Sequence, residues 1–113
     1  MIDDCIFCKI LAGKIPSTQV HSDDLVYAFA DIHPVAPFHI LIIPRRHIAS
    51  VNDLTPADAT LVGHIFQTAQ KIAREKGIDL TGYRVLTNTG PNAGQTVFHL
   101  HYHLLGGTRL HPM

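Results

Sequence analysis

The stretch His99-Leu100-His101-Tyr102-His103-Leu104-Leu105 sets three imidazoles at every second position, with apolar residues between them. In a strand alternate side chains face opposite ways, so the histidines share one face about 6.7 Å apart while Leu100, Tyr102 and Leu104 enter the core. The expectation is one exposed groove lined by three rings. A lone strand histidine is ordinarily structural, but three at period two, just behind the glycine-rich loop Gly90-Pro91-Asn92-Ala93-Gly94, point to chemistry. Histidine suits proton transfer, nucleophilic attack and metal ligation near neutral pH. A neutral imidazole becomes a nucleophile when one ring nitrogen keeps its proton in a hydrogen bond, for instance to a backbone carbonyl, and leaves the other free. His101, flanked on its own face by His99 and His103, is the natural candidate.

Cys5 and Cys8 are the only cysteines. A bridge across two intervening residues closes too short a loop to staple a secreted domain, so metal binding or redox chemistry is expected before a structural disulfide. The pair supplies half of a closed four-ligand zinc site. A redox Cys-x-x-Cys normally follows a strand in a thioredoxin-like unit, and none precedes Cys5, which favours the metal.

The elements that must position these groups follow from pattern. Cys5 to Leu11 starts a short helix that Gly13 and Pro16 end. Gln19 to Ser22 and Leu25 to Phe29 are short β-prone runs divided by Asp23-Asp24, and Phe38 to Ile43 is an apolar run between prolines that reads as a buried strand with His39 as its one polar residue. Thr55 caps a long helix with Pro56 at its first position, along which Leu61, Val62, Ile65, Phe66, Ala69, Ile72 and Ala73 recur at helical spacing up to Gly77. Tyr83 to Asn88 and Val97 to Leu105 form the last two strands, as a hairpin around the glycine-rich loop. Strands before and after one long helix, without βαβ alternation, give an α+β domain with a five-stranded antiparallel sheet. Its free edge, or the helix, offers a route to a homodimer.

The chain has 113 residues, about one domain spanning 1–113. Nine Lys and Arg balance nine Asp and Glu, so no net field draws in nucleic acid or an anionic membrane. Met1-Ile2-Asp3-Asp4 shows no basic leader and no apolar run reaches membrane-spanning length, so a cytoplasmic protein is expected.

With these residues in view, the sequence resembles the histidine triad (HIT) family, whose signature is three histidines alternating with apolar residues. The likeness covers nearly the whole chain. It includes the Cys-x-x-Cys start, Asp31-Ile32-His33-Pro34-Val35-Ala36-Pro37 before His39, Ile43-Pro44-Arg45-Arg46-His47, Gly82-Tyr83-Arg84, Asn88 and Gly94-Gln95-Thr96-Val97. Leu104-Leu105-Gly106-Gly107 after the triad is similar to the Hint branch, whose members hydrolyse nucleoside phosphoramidates. The dinucleoside polyphosphate branch usually has Pro-Arg there, and the nucleotidyl transferase branch replaces the last histidine, here His103, by glutamine. The ending Arg109-Leu110-His111-Pro112-Met113 departs from many relatives, and tryptophan is absent.

The resemblance implies a nucleotidyl-histidine intermediate on His101, oriented by the His99 carbonyl, with His103 at a phosphate or leaving-group atom and His39 completing a proton relay. It implies a purine nucleotide substrate, an AMP or GMP derivative. Asp31 would accept both ribose hydroxyls, though a solvated turn carboxylate is the plain alternative. Gly94, Gln95 and Thr96 would cradle the phosphate, where Gly94 alone could be turn chemistry. Asn88 would donate to ribose or phosphate, or simply form a turn. Phe29, Ile32 and Val97 would sandwich the base, or be plain core. Bacterial relatives complete the zinc site with the residues matching His47 and His99, a closed structural set with no catalytic metal. Two other classes compete with the enzyme: a nucleotide-binding regulatory module with little turnover, and a hydrolase whose triad itself holds a metal. Arg45-Arg46 read as a solvated strand end, and His21, His33, His64 and His111 as surface or structural residues.

Overall fold

A computed structural model describes residues 4–113; Met1-Ile2-Asp3, which enter the reading of the N-terminus above, lie outside it. The elements are α1 (Ile6–Leu11), β1 (Gln19–Ser22), β2 (Val26–Ala30), β3 (Phe38–Pro44), α2 (Ala59–Glu75), β4 (Tyr83–Leu86) and β5 (Tyr102–Gly106). All strand pairs are antiparallel and the sheet order is β1-β2-β3-β5-β4, the α+β architecture that the pattern predicts. No helix among the described residues is long and apolar enough to cross a membrane.

The period of two explains why β3 is central. Its Ile40 and Ile42 face the α2 side, where they pack with Val26, Ala28, Ile65, Ala69, Ile72, Leu100, Tyr102 and Leu104. Leu41 and Ile43 point the other way, into a second cluster with Cys5, Phe7, Cys8 and Phe29. A strand buried on both faces reads as a continuous apolar run, and this one does. Helix α2 begins after a single 3-10 turn, Pro56–Asp58, in which the Asp58 carboxylate accepts the Thr55 N–H at 2.9 Å and pairs with Arg46. Its middle is tied to the first hairpin: His64 on α2 and His21 on β1 each lie 2.7 Å from the same oxygen of Asp23. Burial raises the Asp23 pKa, but the hydrogen bonds from His21, His64, Val26 and Leu25 outweigh it and hold the carboxyl far below its usual range.

The end strands are shorter than expected, and this is a correction. Tyr83 to Asn88 stays in the ladder only to Leu86, and of Val97 to Leu105 only the part from Tyr102 is paired. Leu100, Tyr102 and Leu104 are nonetheless buried. Alternation reports an extended backbone with one face covered, and it persists where the ladder hydrogen bonds do not.

Candidate active site

Cross-strand register builds the site on the α1 side of the sheet. Phe29, Leu41, His103 and Leu86 lie in one row across β2, β3, β5 and β4, and His39 is two residues along β3 from Leu41 on the same face. His39 and His103 are therefore neighbours although far apart in sequence, with His39 Nε2 2.9 Å from His103 Nδ1. The backbone N–H of Val35 donates to His39 Nδ1 at 3.1 Å. That bond puts the His39 proton on Nε2, which donates to His103 Nδ1, and His103 in turn carries its own proton on Nε2.

His101 precedes β5. Its Nδ1 lies 2.7 Å from the His99 carbonyl, which can only accept, so Nδ1 is protonated and Nε2 holds the free lone pair. The ring meets Phe7 edge-on with centroids 5.1 Å apart and His103 at 5.2 Å. Burial lowers the His101 pKa, opposed by the His99 hydrogen bond and by Asp31. Burial also lowers the His39 pKa against the pull of Asp31. For His103, burial followed by repulsion from His101 and His39 brings the value down to about 4. All three shifts favour the neutral ring, the form in which an imidazole can attack through one nitrogen or donate through the other.

His99 corrects the picture of three rings in one open groove. It is fully buried, and its side chain turns away from His101 into a separate cluster. Its Nε2 donates to Pro44 O at 2.8 Å, which leaves Nδ1 as a free donor atom. That atom lies 3.4 Å from Cys5 Sγ, 3.6 Å from Cys8 Sγ and 3.2 Å from His47 Nδ1, while Cys8 Sγ lies 3.4 Å from His47 Nδ1. A tetrahedral ion with sulfur near 2.3 Å and nitrogen near 2.05 Å would separate such donors by roughly 3.3 to 3.6 Å. The four residues fit a closed metal site.

Asp31, His39 and His103 also bring one ligand atom each within 4.8 Å of the others. Here the chemistry of the donors opposes a metal. His39 Nε2 carries the proton that Val35 imposes, so it cannot ligate unless that backbone bond breaks. Asp31 lies 3.3 Å from His39 Nε2 and accepts the His33 N–H at 2.8 Å in a turn.

The other expected residues are more scattered. Gln95 is buried and its amide is committed to backbone: Oε1 accepts from Gly90 N, and Nε2 donates to Ala49 O and Val97 O. This corrects the expectation of a free side-chain donor; Gln95 holds the loop in shape. Gly94 sits at φ 85°, a left-handed conformation that favours glycine. Thr96 is exposed and, with Val97, borders an open recess of about 400 Å³ beside Cys5 and His47. Phe29 is buried against Phe7 and Tyr27, Ile32 is 85% exposed, and Asn88 is half-buried just past β4. A roomier cavity of about 750 Å³ opens at the other end of β5, by Gly107 and Arg109, and holds none of the histidines. Chemistry rather than volume marks the site. Phe7, Thr87, whose hydroxyl donates to His101 O at 2.7 Å, and the backbone groups of Val35 and Pro44 are not marked as site groups by the sequence pattern; only Phe7 carried a signal, its place between the two cysteines.

A HIT domain model matches residues 12–110. The chain belongs to the HIT family. It is 49% identical over 113 residues to the purine nucleoside phosphoramidase of Escherichia coli (strain K12), covering 100% of this chain and 95% of that protein. A histidine triad protein from Clostridium difficile superposes with a TM-score of 0.97 at 50% identity, covering 100% of this chain and 98% of that one. A HIT family hydrolase from Clostridium thermocellum gives 0.96 at 48% identity with the same coverage. These HIT proteins share the fold along its full described length.

The depressed His103 has a measurable consequence. A group whose folded pKa lies below its unfolded value of about 6.5 stabilises the fold above that pH, and the contribution is lost as the pH falls toward 4. The melting temperature is expected to drop across this window, and less steeply in His103→Gln. Equal slopes for the two proteins would show that His103 is not among the groups responsible.

Proposed function

We propose that the chain is a hydrolase that cleaves the phosphorus-nitrogen bond of purine nucleoside 5′-phosphoramidates. The observation that carries this reading is the His101 Nδ1 to His99 carbonyl contact of 2.7 Å, which frees Nε2 for attack beside a neutral His103. In the first step His101 Nε2 bonds to the α-phosphorus and the bond to the amine breaks. The His99 carbonyl stabilises the imidazolium that forms. His103 Nε2–H gives its proton to the departing amine, while His39 Nε2–H, donating to His103 Nδ1, stabilises the charge left on that ring. Water then attacks the nucleotidyl group on His101 as it returns a proton to His103 Nε2, which releases the nucleoside monophosphate and restores both rings. Thr96, Asn88 and the loop at Gly94 are assigned to phosphate and ribose, with Gln95 as the residue that shapes the loop. Phe29, Ile32 and Val97 are assigned to the base.

Cys5, Cys8, His47 and His99 would hold a structural zinc. When bound, it cross-links the N-terminal helix to the segment carrying the triad, with no coordination position left for water. Two cysteines placed as metal ligands and not joined in a disulfide agree with a cytoplasmic setting. A homodimer would use a free sheet edge, β4 or β1.

A panel of adenosine and guanosine phosphoramidates against diadenosine polyphosphates tests the assignment. Phosphoramidates are expected to be turned over far faster, and a preference for polyphosphates would overturn the bond assignment. Within the panel, Asp31 is expected to read the ribose, because a carboxylate that accepts two hydroxyls loses an acceptor contact when one is absent. Asp31→Asn should cost ribonucleotide substrates about tenfold or more, and 2′-deoxy substrates much less. Equal losses on both would give Asp31 another role.

A further inference from the structure

The segment that carries the nucleophile has left the sheet. The β4 to β5 ladder ends at the pair Leu86 and His103, and residues 97–101 have no partner strand. His103 is placed by the ladder and His39 by the adjoining one, whereas His101 is placed by neither. Its ring bond to the His99 carbonyl does not remedy this. That contact spans two residues of the same segment, so it fixes the ring within the segment and moves with it.

Among the described residues, His99 Nε2 donates to Pro44 O at 2.8 Å, Leu100 N–H donates to Ile48 O at 2.6 Å, Gln95 Nε2 donates to Val97 O at 3.1 Å, and the Thr87 hydroxyl donates to His101 O at 2.7 Å. Only the last acts on the nucleophile's own peptide. It comes from the residue immediately beyond β4, where the backbone has stopped pairing. The hydroxyl replaces the next rung of the ladder.

We infer that Thr87 is a positioning residue for the reaction: by anchoring the His101 carbonyl to the end of β4 it holds the attacking ring in register with His103 and His39. It touches neither substrate nor reacting atoms in this role. The inference rests on His101 being the nucleophile. Reacting groups must be held within about half an ångström of productive geometry, and a shift of about 1 Å can cost up to 10²-fold in rate. One side-chain hydrogen bond controls a few-fold part of that range.

Thr87→Val keeps the shape and removes the hydroxyl, and Thr87→Ser keeps the hydroxyl. With adenosine 5′-phosphoramidate as substrate, Thr87→Val is expected to lower kcat about three- to tenfold at unchanged KM, with AMP affinity by calorimetry unaltered. Thr87→Ser should stay within about twofold of the parent protein. Amide hydrogen exchange around His101 should quicken in the valine variant alone. An unchanged kcat in Thr87→Val, equal losses in both variants, or a loss confined to KM would overturn the role. His101→Ala, assayed beside them, separates the two ideas. Turnover surviving there removes the nucleophile itself, while turnover lost there with full kcat in Thr87→Val removes only the positioning by Thr87.

Discussion

His101→Ala is expected to fold, to bind AMP and to keep its metal content, yet to lose phosphoramidase turnover by roughly 10³-fold or more, as removal of a covalent catalyst does. The variant deletes the ring whose Nε2 is free while Nδ1 is held by the His99 carbonyl at 2.7 Å. The structural cost is modest because His101 is only half-buried and its packing partner, Phe7, keeps its contacts with Phe29 and His99. Parent protein quenched during turnover at alkaline pH, where a phosphorus-nitrogen bond to imidazole survives, should carry one nucleotidyl group on the peptide containing His101. A chelator should leave the initial rate nearly unchanged. Substantial activity in the alanine variant, or a rate abolished by chelation with no labelled peptide, would instead favour a hydrolase whose metal sits among Asp31, His39 and His103. The proton that Val35 places on His39 Nε2 is the observation against that alternative.

The second large effect concerns the Cys5, Cys8, His47 and His99 cluster. Protein purified without chelators is expected to contain one zinc per chain by elemental analysis. Replacing Cys5 and Cys8 together by serine should abolish it. Both cysteines are buried in the cluster that joins α1 to the sheet, so the variant loses a cross-link and leaves hydroxyls in an apolar setting. Structural zinc sites supply folding free energy directly, and a loss of several kcal/mol in a chain of this size should lower the melting temperature by at least ~10 °C. Turnover measured well below the new melting point should survive in part, because the groups assigned to the chemistry are His101, His103 and His39. Metal-free protein with an unchanged melting temperature would remove zinc from the account.

Much of the fold was legible because its signals are local. The spacing of Leu61, Ile65, Ala69 and Ile72 marks α2, Thr55 to Asp58 marks its start, and the unbroken apolar run from Ile40 to Ile43 marks a strand covered on both faces. The ends of the last two strands were not legible. Apolar alternation extends through Leu100 whether or not a neighbouring strand supplies ladder bonds, so pattern overstated β5 by five residues at its start, from Val97 to His101. Gln95 was misjudged for a related reason. A polar side chain beside a candidate site looks like a ligand donor until the backbone groups that claim it, at Gly90, Ala49 and Val97, are known.

By itself the sequence determined the inventory: three histidines at period two, two cysteines two residues apart, one long amphipathic helix and five β-prone runs. The tertiary structure decided what each histidine is able to do. His99, His101 and His103 are alike in type and spacing, yet one is buried among thiols with its Nδ1 exposed to them, one presents a free Nε2, and one presents a protonated Nε2. Those differences come from the carbonyls of Pro44 and His99 and from the N–H of Val35, the last acting through His39. Every residue except proline carries both of these backbone groups, and proline carries the carbonyl, so no residue type announces which of them will face a ring. Only the folded path of the chain brings a particular donor or acceptor to a particular nitrogen, and with it the tautomer on which the chemistry depends.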